Sequence, residues 1–322
     1  MPKLRSKHTL VRFAGSTRIT PRCGAAVLLA GLVLLAGWVA AAAESRRATA
    51  EVAPRDAYRQ GLLWRIRPPG RPPSYVFATM HSEHPDVAVI PDPVREAFAQ
   101  SDRLILEMQL DQRSLGKVAE AMRVKSGQDL QALVGPQLFE ESARIMGGLG
   151  VPTHALKGMK PWAVAVTLLT PRSDTGLFLD RMLYLEALAK GKPVSGLETA
   201  EEQMAVFDGL TLKEQIALLR ESLELVPQLD GLYAQMRAAY TARDLEALAA
   251  LNEGMLEKAD QELAEVLTRR LVSERNPRMV DRLEPYLQQG NNFVAIGALH
   301  LPGDGGVLNL LARKGYDVEV VY

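Results

Sequence analysis

The sequence predicts an α/β fold with a central mixed or mostly parallel sheet and a large helical insertion. Near both ends of the folded region, short apolar runs of strand length alternate with helical segments. The region from about 111 to 285 has mostly helical periodicity. Three predicted helices end in a glycine just before a strand, at Gly191, Gly290 and Gly315, as is typical of α/β units.

Residues 1–43 have the composition of a secretory signal peptide or an N-terminal membrane anchor. They contain six Lys and Arg residues and no acidic residue, and the uncharged run from Ala25 to Ala43 ends in Ala41, Ala42 and Ala43. A signal peptide needs a positive start, an apolar middle and small residues at the cleavage site, whereas an anchor needs about 20 apolar residues. Either one predicts export of the remainder, because Lys and Arg beside a membrane segment stay in the cytoplasm. Residues 44–60 are polar and small, and they predict a linker.

The folded domain is predicted to span 61–322 and to begin with a β-hairpin. Leu63–Arg67 and Ser74–Met80 are rich in strand-forming residues and flank a turn that is rich in proline and glycine. A helix is predicted for Asp92–Gln100, because proline is favoured in the first turn of a helix. Arg103–Glu107 is a short apolar run of strand length, so the hairpin leads into a strand, helix, strand unit.

Within the helical insertion of about 111–285, apolar residues recur at spacings of three and four. The predicted helical segments are 130–149, 162–169, 177–188, 216–225 and 263–271. Thr211 and Glu214 have the spacing of a capping box at a helix start. A strand at Pro193–Glu198 interrupts the helices. The tail returns to strand, helix, strand at 292–298, 307–312 and 317–321.

The composition is that of a globular protein and limits the chemistry. Of the 322 residues, 47% are hydrophobic and 24% are charged, and the formal net charge is zero, so no nucleic-acid partner is expected. The only cysteine, Cys23, precedes the apolar run. The exported part therefore has no disulfide, thiol nucleophile or thiolate zinc site. Its chemistry must come from histidines, carboxylates, hydroxyls and cations.

Four predicted strands end in a residue that can bind a metal or transfer a proton: His81, Glu107, Glu198 and His300. In an open α/β sheet, ligands bind beyond the carboxyl ends of the strands. If these strands are parallel neighbours, two imidazoles and two carboxylates meet at one edge. Such a group predicts a divalent-metal site or a His/Glu acid-base pair. His84 is either a further ligand or a surface-loop residue.

The ordered set of motifs resembles the TraB/GumN family, which includes the Tiki proteases. The resemblance covers about Gly61 to Tyr322. The segments that carry it are Gly61–Ile66, Tyr75–His81, Leu104–Glu107, Lys160–Trp162, Gly196–Thr199, Glu274–Asn276 and Phe293–His300.

The resemblance implies a divalent-metal site built from two G-x-x-H motifs and a strand-end glutamate. It assigns the metal-ligand role to His81, Glu107 and His300, and a supporting role to Glu198 and Arg275. One departure is Ala78, which stands where the family usually has the glycine of the first motif. Its methyl group is expected to crowd the approach of a ligand to the backbone.

The resulting hypothesis is an exported metal-dependent hydrolase that acts on a peptide or another envelope substrate. His81, Glu107 and His300 would hold Mn²⁺, Co²⁺ or Zn²⁺, which activates water for hydrolysis. Glu198 would be a general base or would orient a ligand, and Arg275 would stabilise an oxyanion or else only pair with Glu274 or Asp281. The alternative is a noncatalytic envelope protein that binds a metal, haem or a partner protein. Membrane contact is expected only through the N-terminal segment, and the oligomeric state is left open.

Overall fold

The computed structural model describes residues 58–256 and 259–322. The predicted leader and nearly all of the predicted linker lie outside the described residues. The strands are β1 Leu63–Arg67, β2 Ser74–Thr79, β3 Arg103–Met108, β4 Val194–Glu198, β5 Asn292–Gly297 and β6 Asp317–Val320.

These strands form one mixed sheet in the order β4-β3-β5-β2-β1-β6. The neighbours β4, β3, β5 and β2 run parallel, whereas β1 is antiparallel to both β2 and β6. The predicted hairpin is therefore β1 and β2. Together with the helices, this sheet confirms the predicted α/β class.

The helices of the described residues lie mostly in the segment between β3 and β5. They are α1 Asp92–Gln100, α2 Gln112–Ala121, α3 Leu130–Val134, α4 Pro136–Gly148, α5 Thr153–Lys157, α6 Pro161–Leu168, α7 Leu179–Ala189, α8 Ala200–Asp208, α9 Leu212–Leu225, α10 Leu229–Thr241, α11 Leu245–Leu256, α12 Gln261–Thr268, α13 Arg275–Gln289 and α14 Val307–Arg313. Thr211 and Glu214 form the predicted capping box of α9. The division into leader, linker and domain with a helical insertion stays a prediction.

Two predicted helical stretches are broken in the structure. The stretch 130–149 is two helices, because Gly135 has a φ of 82° and Pro136 begins the second helix. The stretch 263–271 ends as an α-helix at Thr268 and continues as a π-helical turn, Arg269–Ser273. This turn leads directly into α13, so it sets the position of Arg275 at the start of that helix.

The parallel strands β3, β5 and β2 lie at the centre of the core. All six residues of β5 are buried, and so is the apolar run Leu104–Leu106 of β3. Continuous apolar runs of this kind are typical of parallel strands that are covered on both faces. The edge strand β6 is half-exposed and has no fully buried residue. Among the described residues, no helix combines the length and the apolar character needed to cross a bilayer.

The carboxyl ends of the four parallel strands lie side by side. Thr79 of β2 pairs with Gly297 of β5, and Met108 of β3 pairs with Glu198 of β4. The strand before His300 is shorter than predicted. It ends at Gly297, and Ala298–His300 is a 3₁₀ turn. That turn carries His300 past the end of the sheet.

Candidate active site

Four of the five predicted site residues meet at this carboxyl edge. Glu107 is the penultimate residue of β3, Glu198 ends β4, and His300 follows β5 through the 3₁₀ turn. Arg275 reaches them from the first residue of α13. Arg275 and His300 are almost completely buried, at 1% and 0% exposed. The result is a buried cluster of two carboxylates, a guanidinium and an imidazole.

Glu107 is held as a carboxylate at the centre of the cluster. Its Oε1 accepts the N–H of Gly297 at 2.8 Å, and its Oε2 accepts from Nη2 of Arg275 at 2.7 Å. Burial raises the pKa of this carboxyl, but the opposing effects of His300, Arg275 and the Gly297 hydrogen bond are larger together and lower it to about 2. Glu107 is therefore ionised at neutral pH.

Arg275 connects the cluster through charge-assisted hydrogen bonds. Its Nε and Nη2 donate to Oε2 of Glu198 at 2.9 Å and 2.7 Å, in addition to the bond from Nη2 to Glu107. Burial opposes the charge, yet the two carboxylates outweigh burial and raise the pKa of Arg275 above its usual value. Glu274 and Asp281, the alternative partners predicted for Arg275, form ion pairs with other residues. Glu274 pairs with Arg269, and Asp281 pairs with Lys314.

Both carboxylate oxygens of Glu198 accept hydrogen bonds from arginine side chains. Its Oε2 accepts from Arg275, and its Oε1 accepts from Nη2 of Arg278 at 2.8 Å. Burial raises the pKa of Glu198, but these two arginines lower it overall. A carboxylate stabilised in this way is a weak proton acceptor. Of the two roles predicted for Glu198, the geometry favours orientation of Arg275 over general-base catalysis.

The tautomer of His300 follows from its contact with Asn276. The side-chain amide of Asn276 donates to the carbonyls of His300 and Gly305, at 3.3 Å and 2.9 Å, so its Oδ1 is left as an acceptor. This Oδ1 lies 2.7 Å from Nδ1 of His300, which must then carry the proton. The lone pair on Nε2 faces Nη1 of Arg275 at 3.3 Å and Oε1 of Glu107 at 3.9 Å.

His300 is neutral under physiological conditions. Burial lowers its pKa, Arg275 lowers it further, and the resulting value is about 4 despite the attraction of Glu107. A neutral imidazole with one nitrogen held by a neighbouring acceptor is the form in which histidine binds metals.

His81, the fifth predicted residue, lies at the same edge but makes different contacts. Its Nε2 lies 3.1 Å from Oδ2 of Asp180, and its ring lies 4.3 Å from the ring of Phe178. It still lowers the pKa of Glu107 electrostatically. Ala78, three residues earlier, has an ordinary strand conformation, and its carbonyl accepts the hydroxyl of Tyr240 at 2.8 Å.

Glu107 and His300 offer the types of donor atom that divalent metals bind. Glu107 supplies an ionised carboxylate, His300 supplies a neutral Nε2 oriented by Asn276, and a buried oxygen of Asp180 without a hydrogen bond lies beside His81. In the part of the chain that the structure describes, however, no three His, Cys, Asp or Glu side chains surround a common point. Arg275 donates to both Glu107 and His300 in this arrangement.

Sequence reasoning missed the residues that orient the cluster. Asn276 and Arg278 follow Arg275 in α13, and of these two only Asn276 lies in a segment that carries the family resemblance. Asp180 lies in α7, a hundred residues from His81, and no local pattern marks it. His84 is exposed and lies near Asp86 on the surface, outside the cluster. His154 lies in the short helix α5 and is exposed.

Fold and site together define an α/β protein with a buried glutamate, arginine and histidine cluster at the carboxyl edge of its sheet. The chain belongs to the TraB/PrgY/gumN family, whose family model matches residues 62–320. This match confirms the resemblance drawn from the motifs.

Similar proteins include metalloproteases. The chain is 27% identical to Metalloprotease TIKI2 of Danio rerio over 313 residues, which are 80% of this chain and 60% of that protein. It is 27% identical to Metalloprotease TIKI1 of Homo sapiens over 330 residues, 84% of this chain and 64% of that protein. The chain thus spans less than two thirds of each metalloprotease.

A bacterial relative is matched over more of its length. The chain is 26% identical to Uncharacterized protein YbaP of Shigella flexneri over 251 residues, which are 76% of this chain and 89% of that protein. No solved structure matches the chain significantly.

Proposed function

We propose that this chain is an exported metal-dependent hydrolase that cleaves peptide bonds in an envelope substrate. The observation that carries the proposal is the pair of Glu107 and His300, an ionised carboxylate facing a neutral imidazole 3.9 Å away in a buried site. The similarity to proteins named metalloproteases supports the same reaction class.

His81, Glu107 and His300 would hold the ion, which is Mn²⁺, Co²⁺ or Zn²⁺ by the oxygen and nitrogen character of these ligands. Such an ion, when bound, acts as a Lewis acid that polarises a carbonyl and makes water a nucleophile near neutral pH. Asn276 keeps the proton of His300 on Nδ1 and so leaves Nε2 as the donor atom. Gly297 fixes the carboxylate of Glu107 through its N–H.

Arg275 and Glu198 have supporting roles in this proposal. Glu198 holds the guanidinium of Arg275 by two hydrogen bonds, so the cation has a fixed position beside Glu107 and His300. A fixed positive charge there would stabilise an oxyanion that develops on the substrate carbonyl. Glu198 itself would orient Arg275 and would not accept a proton.

Export is the second part of the proposal and rests on residues 1–43. Their basic start and apolar run would deliver the domain to the periplasm or cell envelope, as a cleaved or an anchored protein. The substrate would then be a peptide or another envelope component.

Hydrolysis of a panel of peptides and esters tests the enzymatic proposal. Activity should require added Mn²⁺, Co²⁺ or Zn²⁺ and should disappear with a chelator. His300→Ala should abolish turnover, whereas His154→Ala, which removes an exposed imidazole, should leave it unchanged. A wild-type protein that binds one of these ions but hydrolyses no member of the panel would instead support the noncatalytic alternative.

A further inference from the structure

A cavity lies at the carboxyl edge of the sheet, next to the buried cluster. It is bounded by the end of β2, by the 3₁₀ turn Ala298–His300, and by helices α10 and α11. Its space, with the opening to solvent included, is about 340 Å³. His81 forms part of the wall, and so does Leu299, the residue before His300. The cavity therefore borders His81 directly and His300 through its neighbour in the chain.

The wall of this cavity is mostly apolar. Five of its side chains are buried hydrophobic groups: Met80, Met236, Leu248, Ala298 and Leu299. A site for ordered water needs two to four polar partners, which such a surface does not supply. The wall therefore suits an apolar group better than water or a charged ligand.

The polar side chains of the wall already have partners within the protein. The hydroxyl of Thr79 donates to Oδ1 of Asp180 at 3.0 Å, and the hydroxyl of Tyr240 donates to the carbonyl of Ala78 at 2.8 Å. Burial raises the pKa of Tyr240 well above its usual value, so this phenol is uncharged. His81 has its Nε2 3.1 Å from Oδ2 of Asp180. What the cavity offers a ligand is therefore apolar contact.

Two methionines make the shape of the cavity adaptable. Met80 follows β2, and Met236 reaches the cavity from α10. Methionine side chains are unbranched and flexible, so they pack against apolar groups of different shape. A peptide whose scissile bond is held near His81 and His300 would place one of its neighbouring side chains at this cavity, because His81 is part of the wall.

We propose that this cavity binds an apolar side chain of the substrate, such as leucine or methionine, beside the scissile bond. Met236 and Leu248, which line it from α10 and α11, would then determine specificity. This inference rests on the proposed function, since it assigns a substrate class to that same site.

NMR of protein that carries ¹³C in its methionine methyl groups tests the binding without any need for turnover. The probe is N-acetyl-leucine methylamide, and N-acetyl-glutamine methylamide is its polar counterpart. The leucine probe should shift the methyl signals of Met80 and Met236 saturably, whereas that of Met146, buried in α4, should not move. The glutamine probe should shift none of them, because an amide without partners is unfavourable in an apolar cavity.

Pairs of peptides that differ only in leucine or glutamine beside the scissile bond, on each side in turn, test the role in catalysis. The leucine peptide should have a kcat/KM at least about tenfold higher, as expected for an apolar group in an apolar pocket. Met236→Phe, which fills the cavity, should reduce this ratio and weaken binding of the leucine probe by at least about tenfold. Leu188→Phe adds an aromatic ring at an exposed position of α7 and should change neither quantity.

Other results would overturn the assignment. Equal shifts with both probes, or no shift at all, would refute the site, and this comparison on the wild type stands even if Met236→Phe does not fold. Metal-dependent hydrolysis without a preference for leucine would also refute it, but would leave the proposed function intact. Conversely, selective binding of the leucine probe by a protein that hydrolyses no peptide would contradict the proposed function and support an apolar binding site in a noncatalytic protein.

Discussion

Arg275 is buried together with the two carboxylates that neutralise it. Removal of its side chain would leave Glu107 and Glu198 close to each other in a site with little water, with Arg278 as the remaining ion-pair partner of Glu198. Removing one partner of a buried ion pair typically lowers the free energy of unfolding by about 3–5 kcal/mol, whereas an exposed pair contributes about 0–1 kcal/mol to it.

Arg275→Ala should therefore lower the free energy of unfolding by about 3–5 kcal/mol. Arg269→Ala, which removes an exposed arginine that pairs with Glu274, should lower it by less than about 1 kcal/mol. Urea denaturation of the metal-free variants measures both values. Similar small losses in the two variants would show that Arg275 contributes little to the stability of the fold.

His300 gives the metal-free protein a pH-dependent stability. Burial lowers its pKa to about 4, whereas histidine in an unfolded chain has a pKa of about 6.5. Between these values the unfolded state binds more protons, so stability is complete above about pH 6.5 and declines as the pH falls towards about 4.

Urea denaturation in small pH steps would reveal this decline. In His300→Gln the slope between about pH 6.5 and 4 should become shallower. The pKa of Glu107 is about 2, so its contribution is lost only at lower pH, from about 4.5 downwards. An unchanged slope in His300→Gln would contradict this assignment.

The elements of the sheet are joined by glycines in a left-handed conformation, and two of them differ in their surroundings. Gly191 and Gly290 both follow a helix and precede a strand, with φ of 67° and 78°. A Cβ atom at Gly191 would meet nothing within 4 Å, whereas one at Gly290 would lie 2.5 Å from the carbonyl oxygen of Pro72.

Gly191→Ala should lower the free energy of unfolding by about 1–2 kcal/mol, the cost of a left-handed residue with a side chain. Gly290→Ala should cost more, because the turn before β2 or the start of β5 must also move. Equilibrium denaturation compares the two variants directly. Equal losses of unfolding free energy in the two variants would mean that the turn at Pro72 can move without destabilising the protein.

The elements that the sequence predicts well are those with a local cause. Continuous apolar runs mark β3 and β5, and the Thr211 and Glu214 pair marks the start of α9. The π-helical turn before Arg275 has no local signature, because it depends on packing between distant segments. Likewise, the contacts of Asp180 with His81 and Thr79 join segments about a hundred residues apart. Strand ends therefore predict the position of the site, but not the residues that orient it.

At the scale of the whole molecule, the proposed export depends on the first 43 residues. Mass spectrometry of the native protein should find Glu44 or a close neighbour as the N-terminus, because Ala41, Ala42 and Ala43 form a small-residue cleavage site before it. An intact N-terminus on protein extracted from membranes would instead support the anchor. Replacing Ala41 and Ala43 by bulky residues is the control, since it should block cleavage without preventing export.

The position of β5 in the sheet has a consequence for the order of synthesis. This strand lies between β3 and β2, yet it begins at Asn292, so it leaves the ribosome after nearly all of the chain. Before it arrives, the β1 and β2 hairpin and the β3 and β4 pair have no strand to join them, Glu107 lacks the N–H of Gly297, and His300 does not yet exist. A nascent chain therefore cannot assemble the cluster until β5 has inserted between β3 and β2.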